Sequence, residues 1–243
     1  MVARTSALLA LLALRAASAP VPPPTAADAR RFPPRGFNPC NNFGCDMSKI
    51  GEAGLIALMD AMSANGMRAA NYAWFNLDDG IISHRDAAGA LVADAAFTNG
   101  SLSALAAHAT SRGLALGAYT DRGTTTCEGR PGSAGHEAQD AATWVSWGVR
   151  WLKSDSCSAS GDFAAAALEY GAMKAGLAAT HADVFLSLCG WFSGFAAFPR
   201  CPWATRGAWA RTCPASRALR RISRRRRRRR ALRGRAAAGP TST

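Results

Sequence analysis

The sequence predicts an α/β fold built around a parallel sheet. Short apolar segments alternate with helical patterns between residues 36 and 191, and this alternation is typical of a parallel sheet covered by helices. The apolar segments are short and nearly continuous, as expected of strands that are buried on both faces. A glycine follows most of the helical patterns, where the C-cap of a helix favours a residue that accepts a positive φ.

The predicted strands lead into polar residues at their carboxyl ends. Parallel α/β folds place their functional sites at this end of the sheet. An initial strand at Gly36 and Phe37 is followed by strands at residues 72–77, 114–120, 149–154 and 184–188. The polar residues that follow the next three of these strands are Asp78 and Asp79, Asp121, and Asp155.

Helical patterns fill the intervals between the strands. The first has an apolar face over residues 55–62 and ends before Gly66, and the second covers residues 102–109 before Gly113. The third and fourth helices are predicted over residues 136–147 and 163–179.

These elements amount to about five βα units, which is too few for a complete barrel. A TIM-type (β/α)₈ barrel needs roughly 250 residues, whereas only 53 residues follow Gly190. Those residues include seven consecutive arginines, 224–230, which cannot pack into a core. We therefore predict an incomplete TIM-type barrel over residues 36–199 and an irregular, disordered Arg-rich tail over residues 200–243.

The positive charge of the chain is concentrated in this tail. The formal net charge is +13, but 15 arginines and no acidic residue lie from residue 200 onward, so residues 1–199 are nearly neutral. We expect no specific nucleic-acid binding by the folded part. The abrupt loss of acidic residues after Asp183, with Arg, Ala and Pro dominating, indicates translation of the tail in a wrong reading frame. The alternative is a tail that binds nucleic acid or an anionic surface through residues 217–235. The hydrophobic fraction of 49% excludes disorder of the whole chain.

The N-terminal residues are typical of an exported protein. Residues 1–19 combine an early arginine, a short apolar stretch and small residues before a cleavage point, which predicts a signal peptide. The alternative is a plain Ala/Leu-rich terminus. The apolar stretch is too short to span a bilayer, and we expect no transmembrane segment. Residues 20–35 are predicted to be a Pro-rich linker. We expect the protein to be secreted or to lie in an endomembrane, lysosomal or vacuolar lumen.

The cysteines favour disulfide bonds over a metal site. Seven cysteines fit an oxidising compartment, and none forms a C-x-x-C pair. The four histidines are scattered along the sequence, so zinc coordination has little support. We expect no metal and no organic cofactor.

Charged and aromatic residues near the strand ends are candidates for chemistry. Adjacent carboxylates at Asp78 and Asp79 repel each other, which favours a cation or a hydroxyl-rich ligand beside them. Lys153 and Asp155 alternate along one strand and so point to the same side, where the lysine would keep the carboxylate ionised. The alternative for this pair is a surface ion pair. Trp191 is either a core residue or a platform for the apolar face of a sugar.

Several segments together resemble one family of glycoside hydrolases, the α-galactosidases and α-N-acetylgalactosaminidases, often called melibiases. The segments occur in the family's order and spacing. They are residues 36–45 (GFNPCNNFGC), 76–79 (NLDD), 114–121 (LALGAYTD), 131–137 (PGSAGHE), 147–157 (WGVRWLKSDSC) and 186–191 (LSLCGW).

The resemblance implies a retaining hydrolase that cleaves terminal α-linked galactose from an oligosaccharide or glycoconjugate. By resemblance, Asp155 is the nucleophile, and the family's disulfide beside it joins Cys127 and Cys157. The choice between galactose and N-acetylgalactosamine stays open, as does the oligomeric state. The residues that the resemblance assigns to substrate binding are Asp78, Asp79 and Lys153 for the hydroxyls, with Tyr119 and Trp191 as pocket walls.

The chain departs from the family pattern at several positions. Cys40 stands where the family has a tryptophan, and Gly80 stands where the family has the usual disulfide partner of Cys45. We therefore expect Cys40 and Cys45 to be free or irregularly paired. Gly190 replaces an acidic residue common in α-galactosidases, and no acidic residue follows Asp183, so the family's acid/base carboxylate is missing. These departures predict a truncated, weakly active hydrolase, with a sugar-binding pseudoenzyme as the alternative.

Overall fold

The computed structural model describes residues 21–190, apart from the Phe163 side chain. The predicted signal peptide at 1–19, the tail at 200–243 and Trp191 lie outside these residues. Within them, no helix is both long enough and apolar enough to cross a membrane. The strands are β1 (Gly36–Phe37), β2 (Trp74–Asn76), β3 (Ile82–Arg85), β4 (Leu91–Ala93), β5 (Ala115–Asp121), β6 (Trp151–Asp155) and β7 (Phe185–Leu188).

Five of these strands form one parallel sheet in the order β1-β2-β5-β6-β7. Sheet neighbours thus follow one another along the chain, apart from the hairpin β3–β4. Because parallel crossovers are right-handed, such a sequential order places the crossover helices on one side of the sheet. This is the arrangement of a barrel wall rather than of a doubly wound sheet, and it agrees with the predicted incomplete barrel.

The helices lie close to their predicted positions. The fourth predicted helix has the bounds inferred from the sequence, and the left-handed residues Gly113 (φ 69°) and Gly148 (φ 81°) lie just beyond two of the others. The helices are α1 (Ala26–Arg31), α2 (Cys40–Phe43), α3 (Gly51–Ala64), α4 (Ser103–Ser111), α5 (Glu137–Ser146) and α6 (Phe163–Ala179), with 3₁₀ turns at Met47–Lys49 and Thr98–Gly100.

Apolar side chains are buried on both faces of the sheet, as the continuous apolar strands predict. On the helix side, Leu116 and Leu152 join a large core together with Leu105 and Trp144 from the helices. On the other side, a second cluster forms among the first residues of the strands. Its members are Trp74 and Ala115, with Trp151 and Phe185 packed against them.

Helix α1 covers this second cluster, in contrast to the prediction of a linker without structure at residues 20–35. Thr25 caps the helix through a capping box with Asp28, and Ala26 and Ala29 are buried. The Ala26 amide donates to Asp183 just before β7, over 2.8 Å. The aromatic rings at the strand starts need cover from water, and the small alanine face of α1 fits closely over them.

The antiparallel hairpin β3–β4 was not predicted, because its strands are short and Ser83, His84 and Arg85 interrupt the apolar alternation. The hairpin is anchored through a bidentate ion pair. The Arg85 guanidinium contacts both carboxylate oxygens of Asp140 in α5, at 2.7 and 2.8 Å. Asp140 is fully buried, so this pair fixes the hairpin to the helix layer.

Candidate active site

The carboxyl ends of β2, β5 and β6 bring the predicted site residues together. In the β5–β6 register, Tyr119 lies opposite Lys153 and Asp121 opposite Asp155. Asp78 lies two residues beyond the end of β2, whose neighbour is β5. Alternate residues of a strand project to the same side. The side chains of Tyr119, Lys153 and Asp155 therefore project from the same side of the sheet, beside Asp78.

Lys153 bridges two carboxylates in this site. Its Nζ atom lies 3.0 and 3.1 Å from the two oxygens of Asp78 and 3.5 Å from Oδ2 of Asp155. Burial by itself would lower the pKa of Lys153, but the charges of Asp78 and Asp155 and the hydrogen bonds to Asp78 outweigh it and raise that pKa. The ammonium is thus charged at neutral pH. The Asp155 side chain is only 7% exposed, so this is no ordinary surface ion pair.

Asp155 is held by donors on both of its oxygens. The Ser156 amide donates to Oδ1 over 2.8 Å, and the Tyr119 hydroxyl donates to Oδ2 over 3.2 Å. Burial, reinforced by the charges of nearby aspartates, raises the pKa of Tyr119, so the phenol keeps its proton and acts as a donor. These contacts fix the orientation of the Asp155 carboxylate at the end of β6.

Asp79 lies at the same end of the sheet and is 4% exposed. Its Oδ1 accepts the amide of Gly80 over 2.8 Å, and its Oδ2 accepts the amide of Glu128 over 2.9 Å. The carboxylate therefore ties the loop after β2 to the loop after β5. Each oxygen has a second lone pair, which remains for a ligand hydroxyl.

The predicted disulfide between Cys127 and Cys157 is confirmed. It lies against the site, since the Tyr119 hydroxyl is 3.5 Å from Sγ of Cys127. A second disulfide joins Cys40 to Cys45, which is the irregular pairing among the expected outcomes. Gly80 (φ 84°) packs against Cys45 so closely that an added Cβ would lie 2.0 Å from the Cys45 carbonyl oxygen.

Two residues beside the site were not among the predicted site residues. Asp121 is fully buried and accepts the amides of Gly123 and Cys157, each over 2.6 Å. The sequence places it after a predicted strand, but nothing in the sequence distinguishes a carboxylate that binds loop amides from a turn residue. Cys189, the one free cysteine among residues 21–190, lies beside Asp155. Burial, together with Asp155, raises the pKa of its thiol to about 11.

One group of potential metal ligands lies in this region, and it does not fit a metal. Ligand atoms of Asp121, Cys127, Asp155 and Cys157 lie within 4.8 Å of one another. Both sulfurs belong to the disulfide and therefore cannot act as thiolate ligands. Both oxygens of Asp121 accept backbone amides. These residues instead join the loop after β5 to the loop after β6.

Residues 21–190 contain no second carboxyl group placed as a proton donor to a ligand at Asp155. Retaining glycosidases need two carboxyl groups about 5–5.5 Å apart. Asp121 is near enough, but it is fully buried. Asp78 is bound by Lys153, and Asp79 by two backbone amides.

A protein-family model described as alpha galactosidase A (Melibiase_2) matches residues 36–220. The chain belongs to this family. The match covers all of the site residues and extends beyond residue 199, where the barrel region was predicted to end.

Curated relatives in this family are α-galactosidases. The chain is 39% identical over 161 residues to alpha-galactosidase A of Cellvibrio japonicus, with 66% of this chain and 39% of the relative covered. It is 42% identical over 161 residues to the alpha-galactosidase of Cyamopsis tetragonoloba, with 65% and 38% covered. The chain thus spans about two fifths of the length of these relatives.

Solved α-galactosidase structures share the fold. The Saccharomyces cerevisiae enzyme solved with raffinose matches with a TM-score of 0.63 and 34% identity, over 69% of this chain and 37% of that one. Alpha-galactosidase I from Mortierella vinacea matches with a TM-score of 0.61 and 28% identity, over 72% and 42% of the two chains. The predicted incomplete barrel is confirmed.

Proposed function

We propose that residues 36–190 carry the galactose-binding and nucleophile part of a retaining α-galactosidase site. The observation that carries this proposal is the Lys153 ammonium between Asp78 and Asp155. This arrangement sets the Asp155 carboxylate beside the Asp78–Lys153 pair, whose polar groups suit sugar hydroxyls. The family membership supports galactose as the sugar, and the substrate is a terminal α-galactosyl unit of an oligosaccharide or glycoconjugate.

In this proposal, one oxygen of Asp155 forms a bond to the anomeric carbon while the bond from that carbon to the aglycone oxygen breaks. The aglycone leaves with the bonding electron pair and takes up a proton. Ser156 and Tyr119 hold the attacking carboxylate. Asp78, Asp79 and Lys153 bind sugar hydroxyls and fix the carbon in line with it. Tyr119 forms a wall of the pocket.

The proton for the aglycone must come from a general acid, which residues 21–190 do not place beside Asp155. A positioned acid typically contributes about 10²–10⁴-fold to the rate. We therefore propose weak activity on natural galactosides and better activity on substrates whose leaving groups need no proton. This observation also favours a second candidate function, binding of galactose without turnover.

We further propose that the protein acts in a secretory or lysosomal or vacuolar lumen, or outside the cell. The two disulfides among residues 21–190 are typical of oxidising compartments. We assign no nucleic-acid role to the folded part.

The test uses the full chain with a nitrophenyl α-galactoside, whose leaving group departs as a phenolate. We expect release of nitrophenol that is lost in Asp155→Asn and retained in Asp86→Asn, a matched control in an exposed turn of the hairpin. Galactose binding without release would favour the binding function. If the native chain shows neither release nor galactose binding, both candidate functions are wrong.

A further inference from the structure

The side-chain amide of Asn38 contacts the carboxylate of Asp78 directly. Asn38 follows β1, and its Nδ2 atom donates to Oδ2 of Asp78 over 2.7 Å. The opposite oxygen, Oδ1, accepts the amide of Asp79 over 3.1 Å. Lys153 lies at nearly equal distances from both oxygens, 3.0 and 3.1 Å. The ammonium therefore does not distinguish the two oxygens of Asp78, whereas Asn38 does.

The Asn38 side chain is itself held in a defined orientation. Its Oδ1 atom accepts the amide of Cys40 over 3.0 Å, as in an Asx turn. A flipped carboxamide would set an oxygen against the Asp78 carboxylate and an NH₂ group against the Cys40 amide, so a single orientation satisfies both partners. The Cys40–Cys45 disulfide closes the turn that follows, and Cys45 is buried.

We propose that Asn38 is a positioning residue for the galactose site. It fixes the rotation of the Asp78 carboxylate about its Cβ–Cγ bond, and with it the direction in which the carboxylate presents its two oxygens and the bound Lys153 ammonium to the sugar. The Cys40–Cys45 turn holds Asn38 in place. The value of this contact for galactose binding rests on the proposed function, whereas the contact itself can be tested without a sugar.

The sugar-independent test measures hydrogen exchange of side-chain amides by NMR in the full, ¹⁵N-labelled chain. Although Asn38 is exposed, we expect its NH₂ signal to exchange slowly and to lose this protection in Asp78→Ala. Asn42 is an exposed residue of the same turn with no side-chain hydrogen bond among the described residues, and it serves as the internal control. Equal exchange of the two amides would overturn the proposal.

The second test measures the galactose affinity of each variant at neutral and at acid pH. Each affinity is divided by that of the native chain at the same pH. We expect Asn38→Ala to weaken binding about tenfold, because a charge-assisted hydrogen bond is lost. Asn38→Asp should bind more weakly still at pH 7, since two carboxylates then face each other. It should recover at acid pH, where the introduced carboxyl is protonated and donates to Asp78. Asn42→Ala should bind as the native chain does.

The outcomes separate this proposal from the proposed function. The positioning role of Asn38 is overturned if Asn38→Ala binds galactose as tightly as the native chain does. It is also overturned if the galactose affinity of Asn38→Asp does not recover at acid pH. If the native chain binds no galactose but the Asn38 amide is protected through Asp78, the proposed function fails and the positioning contact stands. Thermal unfolding of each variant identifies any that does not fold, and in that case the exchange measurement on the native chain decides.

Discussion

The Tyr119 hydroxyl donates to Oδ2 of Asp155 across neighbouring strands, over 3.2 Å. Lys153 approaches the same oxygen, at 3.5 Å. One carboxylate oxygen is thus held by a neutral donor and a cation, while the other is held by a backbone amide. The Asp155 carboxylate is held by residues of β5 and β6 and by the residue that follows β6, which favours a preformed site.

Tyr119→Phe removes this neutral donor and leaves the ring in place. We expect nitrophenol release from a nitrophenyl α-galactoside to slow by about ten- to a hundredfold, since a hydrogen bond to a charged group contributes about 1.5–3 kcal/mol. Single-turnover kinetics of the full chain measure the effect. Tyr72→Phe, an exposed tyrosine outside the site, is the control. An unchanged rate in Tyr119→Phe would show that Lys153 and Ser156 suffice to orient Asp155.

The two disulfides should differ in their contribution to stability. Cys127 and Cys157 are 30 residues apart, and Cys40 and Cys45 are 5 apart. On a chain-entropy estimate, the longer loop contributes about 3–4 kcal/mol and the shorter one about 2 kcal/mol. We expect the Cys127→Ala/Cys157→Ala variant to lose more unfolding free energy than Cys40→Ala/Cys45→Ala, as measured by urea unfolding. The reverse order would contradict the estimate.

Cys189 should react slowly with alkylating reagents. Its thiol pKa is raised from 9.0 to about 11 by burial and by Asp155, and only the thiolate reacts. At pH 8 we expect iodoacetamide to label Cys189 about a hundredfold more slowly in the native chain than in the urea-unfolded chain. Mass spectrometry of the Cys189 peptide measures both rates, and equal rates would contradict the raised pKa.

The raised pKa of the Cys189 thiol should also lower the stability of the folded chain as the pH rises above 8. The unfolded chain loses the Cys189 proton first as the pH rises, because its thiol pKa is the lower one. The contribution of Cys189 to stability is therefore fully present below the unfolded pKa and falls as the pH rises from about 9 to about 11. Cys189→Ala should flatten this part of the pH dependence in urea unfolding, whereas an unchanged slope would contradict the assignment.

Helix α1 should stabilise the barrel wall through its buried face. Ala29 packs on the aromatic cluster at the strand starts, so Ala29→Glu would bury a charge or undock the helix. We expect it to lower the free energy of unfolding by about 1–3 kcal/mol. Ala27 is exposed on the same helix, and Ala27→Glu should change stability by no more than about 0.5 kcal/mol. Equal effects of the two would show that α1 does not stabilise the sheet.

Much of the fold could be predicted because its signals are local. The apolar run ending at Asp155 and the glycines after three of the four predicted helices depend on neighbouring residues alone. The hairpin and helix α1 could not be predicted in this way. Their stability depends on Arg85 reaching Asp140 and on Asp183 reaching Ala26, which lie far apart along the chain.

The sequence by itself determined which chemical groups the site contains: the carboxylates of Asp78 and Asp155, the ammonium of Lys153 and the phenol of Tyr119. Only the tertiary structure decided how they are joined. Asn38 comes to Asp78 because β1 and β2 pair in parallel and bring the turn after β1 against the end of β2. Residue identity and spacing specify donors and acceptors, whereas strand register specifies which of them meet.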